Sequence, residues 1–78
     1  MSHKELEDVL ERSVPFTIYV ADGRQFDVPH RDYVFLPPRS TAVTLALPDP
    51  AEPDQLRYHV IPLLMVSGVS HNESAHPG

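Results

Sequence analysis

The sequence contains no cysteine, which excludes a disulfide framework and any zinc site built on thiolates. Positive charge is scarce: 6 Lys and Arg stand against 11 Asp and Glu, a net of −5. That balance argues against a broad basic face of the kind that grips a phosphate backbone, because such binding needs clustered Lys and Arg. Long hydrophobic runs are missing too. The longest, Val60 to Val66, falls far short of the ~20 apolar residues that a membrane-crossing helix needs. Glu5, Glu7 and Asp8 stand where a secretory signal has its basic and apolar regions. These features predict a cytoplasmic protein with no membrane partner. No nucleophile elbow or glycine-rich loop is present. His71 and His76, with Glu73, lack the spacing of helical metal ligands, and Asp49, Glu52 and Asp54 read as a solvated loop. The expectation is a protein that is not an enzyme and carries neither cofactor nor metal.

What is present fits one domain. A chain of 78 residues buries only a little over ~60% of the surface that it exposes when unfolded. Its stability must therefore come from close packing or self-association. The acidity lies at the periphery, in residues 2–12, in 48–57 and at Glu73, whereas Arg24, Arg31 and Arg39 balance Asp22, Asp27 and Asp32 in between.

The stretch "SHKELEDVLERS" opens with a capping box, Ser2 and Glu5, and places Leu6, Val9 and Leu10 on one narrow apolar stripe. It predicts a short helix that ends before Pro15 and must dock on something. "VPFTIYVADGRQFDV" then reads as a hairpin. A two-residue turn would set Ile18 against Asp27. A three-residue loop of Ala21, Asp22 and Gly23 pairs Ile18 with Phe26 and Phe16 with Val28, with Gly23 in the left-handed position of a G1 bulge. The hairpin is a scaffold.

Further strands are expected at Tyr33–Leu36, Thr41–Leu47, Leu56–Val60 and Met65–Val69. They are separated by "PHRD", by Pro37 and Pro38, by the acidic loop Pro48–Gln55 and by a tight turn at "IPLL". The predicted core is Phe16, Ile18, Phe26, Val28, Val43, Leu45, Val60 and Val66, with Leu6 and Leu10 docked over one end. The fold class is mainly β: a short N-terminal helix and a five- or six-stranded, strongly bent antiparallel barrel over residues 1–69. The polar segment 70–78 is expected to be disordered.

An N-terminal helix running into "VPFTIYVADG", the strand "YVFL" and a terminal "YHVI" before a last strand together resemble the Sm-like family of RNA-binding proteins. The hairpin is also similar to small uncharacterised bacterial proteins, a likeness that implies no function. The Sm-like resemblance implies a ring-shaped homo-oligomer that binds single-stranded RNA. Tyr58 matches the aromatic of the family's pore run, His59 matches loosely, and the pore lysine is missing. Tyr33 would be the base-stacking aromatic, across a gap. Independently of the resemblance, Arg31 and Arg57, with Arg24 and Arg39, stand at predicted turns or strand ends as a sparse patch for the phosphates of a bound RNA, or as solubilising charges. The chain departs from the family at Val28, where a strand-bending glycine is usual, in the short segment Arg24–Leu36 and in the acidic loop. Alternation alone gives a different picture: Tyr58 shares an inward face with Leu56 and Val60, while His59 points to water. The expected partners are further copies of the chain, joined through the unguarded edge of the last strand, with single-stranded RNA or a protein as ligand.

Overall fold

A computed structural model describes residues 1–12 and 15–72. The helix α1 (His3–Leu10) begins as its capping box dictates. The Glu5 N–H donates to Ser2 Oγ at 3.1 Å, and the Ser2 N–H donates to Glu5 Oε1 at 2.9 Å. The Ser2 N–H, and then the Ser2 hydroxyl, favour the charged carboxylate and hold Glu5 below its usual range. Leu6 and Leu10 are buried, and the Met1 ammonium donates to the carbonyls of Leu63 and Val66. The start of the helix is thereby tied to a distant part of the chain.

Strands β1 (Phe16–Val20) and β2 (Gln25–Val28) form the hairpin in the expected register, Phe16 with Val28 and Ile18 with Phe26. Gly23 has φ +98°, the left-handed geometry that glycine adopts without a Cβ penalty. The Gly23 N–H donates to Val20 O and the Val20 N–H to Arg24 O, closing the three-residue loop. A 3₁₀ turn at Arg31–Tyr33 leads into β3, which is only Val34–Phe35 rather than the four-residue strand expected. Strand β4 (Ala42–Pro48) pairs with β3 and with β5 (Leu56–Pro62). A second 3₁₀ turn, Leu63–Met65, stands at "IPLL", and β6 (Val66–His71) returns to pair antiparallel with β1. Strand β6 thus continues past Val69, and residues 73–78 of the polar segment lie outside the described residues.

The six strands form two three-stranded antiparallel sheets, β2-β1-β6 and β3-β4-β5. The fold is therefore mainly β with one N-terminal helix, but the expected closed barrel does not form among the described residues. Closure would need ladders between β5 and β6 and between β2 and β3, and neither forms among the described residues; the second seam has a local cause. Strands β2 and β3 are short, and Pro29 with the 3₁₀ turn separates them, so they share no ladder.

One core joins the sheets. Phe16, Ile18, Val20, Val28 and Val66 enter it from the first sheet, and Val43, Leu45, Leu47 and Ile61 from the second, with Leu6, Leu10 and Leu63. Each large side chain buried there contributes about 1.5–3 kcal/mol. Two predicted core positions differ. Phe26 is only partly buried, and Val60 is exposed.

Candidate interaction face

The reversal at Val60 follows from pairing. Strand β4 alternates large Val43, Leu45 and Leu47 with small Ala42, Thr44 and Ala46, and its large set turns to the core. The loop to β5 is closed by the Asp49 N–H to Gln55 O bond and fixes the register Val43–Ile61, Leu45–His59 and Leu47–Arg57. Directly paired residues share a face. Ile61, His59 and Arg57 must therefore follow the core side, whereas Leu56, Tyr58 and Val60 are forced outward. The expectation that Tyr58 points inward and His59 toward water is reversed.

The outcome is an apolar outer sheet face. Leu56 is 48% exposed, Tyr58 64% and Val60 67%. Phe35, opposite Thr44 and hence in the same row as Val60, is 59% exposed. Strand β5 is also an edge: β4 lies on one side of it, and among the described residues no strand lies on the other. The described residues enclose no pocket.

The residues singled out by the Sm-like resemblance do not converge. Tyr58 stands on the outer face. His59 is half-buried on the opposite side of β5, its ring 4.7 Å from that of Phe26. Burial, with Arg57 and Arg24 nearby, holds His59 below the usual histidine range. Arg57 shares the inner side with His59, and its guanidinium lies 3.6 Å from Asp49. Arg31 is exposed in the first 3₁₀ turn, and Tyr33, at the end of that turn, is partly buried against the core. Arg24 is paired with Asp22 at 2.8 Å, and that carboxylate is held low chiefly by the Arg24 backbone N–H.

Phe35, Leu56 and Val60 are the face residues that sequence reasoning missed. The available signal was the size alternation of β4, carried across to β5 by the length of the acidic loop. Among the described residues no helix is long and apolar enough to cross a membrane. Comparison with protein-family models, with curated proteins and with solved structures finds no match to this chain.

Proposed function

We propose that the chain is a non-enzymatic, cytoplasmic protein-interaction module whose binding element is the outer face and open edge of β5. The observation that carries this reading is the row Leu56, Tyr58 and Val60, apolar and exposed on an edge strand. Water gains nothing from such a row. An added strand can satisfy its backbone groups and cover its side chains at once.

A second reading, an Sm-like ring holding single-stranded RNA, draws support from two exposed rings, Phe35 and Tyr58, on one sheet face. Bases stack on such rings without sequence preference. Opposing it are the net charge of −5 and the position of Arg57 on the other side of β5, beside Asp49. Attraction to phosphate would be weak and would fall steeply with salt.

A photo-reactive phenylalanine analogue placed at Tyr58 tests both readings, with Gln25 on the other sheet as the control position. In living cells the Tyr58 position should give polypeptide adducts that resist nuclease and exceed those at Gln25. Nuclease-sensitive adducts at Tyr58 would move the assignment to RNA. Equal labelling at the two positions would remove the face from consideration.

A further inference from the structure

We infer that β5 pairs with β5 of a second copy of this chain, antiparallel about a two-fold axis at Tyr58; this rests on the reading of β5 as an interaction element. The ladder itself fixes which backbone groups are free. At one end of the β4–β5 pair the Asp49 N–H donates to Gln55 O at 2.9 Å, and at the other the Leu63 N–H donates to Thr41 O at 2.9 Å. The odd-numbered residues of β5 therefore face β4. Because bonding direction alternates along an antiparallel strand, the N–H and C=O groups of Leu56, Tyr58 and Val60 point off the open edge. Pro62 is next in that series and has no N–H.

These groups select one register. An axis at Tyr58 sets Tyr58 opposite its own copy and Leu56 opposite Val60, and each pair exchanges both of its bonds. An axis at His59 would set Leu56 against Pro62 and lose a donor. An axis at Arg57 would set Val60 against Asp54, in the acidic loop.

The side chains agree with the backbone. Leu56, Tyr58 and Val60 present the same apolar class read in either direction, so the strand complements itself. No charge stands in that row. The other edges fit less well: β2 is flanked by Arg24 and Pro29 and contains Asp27, and β3 has two residues. Strand β6, expected to be the associating edge, offers only Ser67, Gly68 and Ser70 on its outer side and pairs with β1 through a register shift at Tyr19/Val20. The three outer side chains of β5 expose on the order of 300 Å², below the ~800 Å² per partner of a standard interface. The pair therefore belongs to the weak, concentration-dependent class.

The cysteine-free sequence permits a single-site reporter. Directly paired residues in such a ladder have Cα atoms about 5.5 Å apart, within disulfide range. In a redox buffer the Tyr58→Cys chain should form a disulfide-linked dimer at least about tenfold faster than a Gln25→Cys chain, because pairing raises the effective concentration toward ~mM. The parent chain should rise in sedimenting mass toward that of two chains between about 10 and 500 µM, the range of a weak interface. A Val60→Lys chain with an unchanged circular dichroism spectrum should remain a monomer. A monomeric parent across that range, or equal oxidation of the two cysteine variants, overturns the self-pairing alone. Polypeptide adducts at Tyr58 in cells would then identify a foreign strand as the occupant, and their absence would overturn the interaction reading itself.

Discussion

The two sheets present the same kind of inner face and opposite kinds of outer face. On the first sheet the outer rows are Asp27, Thr17 and Ser70, then Gln25, Tyr19 and Gly68. Thr17, buried there, donates to Asp27 Oδ1 and accepts from Asn72 Nδ2, both at 2.8 Å. Tyr19 is tied to Ser70 through its hydroxyl at 3.1 Å. That face is hydrogen-bonded within itself and at ease in water. The corresponding face of the second sheet holds Phe35, Leu56, Tyr58 and Val60, and among the described residues none of these side chains is covered. Both sheets belong to one small protein under the same demand for stability. The difference therefore teaches that stability is served by the shared inner faces, and that the second outer face, left apolar and uncovered, is where the proposed interaction would act.

The contrast is tested first at its common ground. Ile18→Ala in the first sheet and Leu45→Ala in the second should each cost about 2–5 kcal/mol, since both are fully buried in one core. Urea denaturation measures both. A loss below about 1 kcal/mol at either site would mean that one sheet does not share the core.

The polar outer face comes next. Thr17→Val keeps the shape but deprives Asp27 and Asn72 of their buried partner, for an expected loss of about 1–2 kcal/mol. An unchanged denaturation midpoint would show that water substitutes freely there, and the first face would lose its self-sufficiency.

A smaller effect arises where the inner faces meet, at His59 beside Phe26. The folded state lowers the affinity of His59 for a proton below its ordinary pKa of 6.5. The unfolded chain then binds more protons as pH falls, so this contribution to stability is intact above about pH 6.5 and is lost progressively below it. Glu5 and Asp22, held low as carboxylates, lose theirs only in the acid range below their ordinary 4.5 and 3.8. Denaturation midpoints between pH 7.5 and 5.5 should therefore drop for the parent and drop less for His59→Gln. Equal slopes would indicate that the ring is free in solvent.

The smallest expected change is at the apolar outer face. Val60→Thr should alter the stability of the monomer by no more than about 0.5 kcal/mol, as an exposed site does. The same substitution on a covered face would cost more. A large loss for the dilute monomer would place Val60 in a contact within the chain and erase the distinction between the two outer faces.

Much of this fold was legible in the sequence, because local rules fix it. The Ser2–Glu5 box set the start of the helix, and the agreement of apolar faces around Gly23 set the hairpin register. The size alternation in β4 identified its inner side. Strand β5 was legible only as an alternating strand. Taken alone, Arg57 and His59 look like the wet side, and they are overruled by a partner strand and a loop length. Closure is not legible for a related reason: a count of strands does not say whether β2 meets β3 and β5 meets β6. The Sm-like resemblance points to Tyr58, yet the residues that share its outer face, Phe35 and Val60, are set by cross-strand registers that lie outside any single strand's pattern.

The pairing of β1 with β6 also sets an order of events in time. Strands β3, β4 and β5 follow one another along the chain, and the loop between the last two spans only residues 49–55. The first sheet instead must bring together groups such as Thr17 and Asn72, 55 positions apart. Closing a loop of that length costs roughly 3.5 kcal/mol in chain entropy before any contact repays it. Contact order therefore predicts that the meander forms first, with one side of β1 unpaired until β6 is available; pulse-labelled amide exchange that protects β1 and β6 before β4 and β5 would overturn this order. During that interval the edges of β5 and β1 are both open, and of these two only that of β1 is later covered by a strand of the same chain.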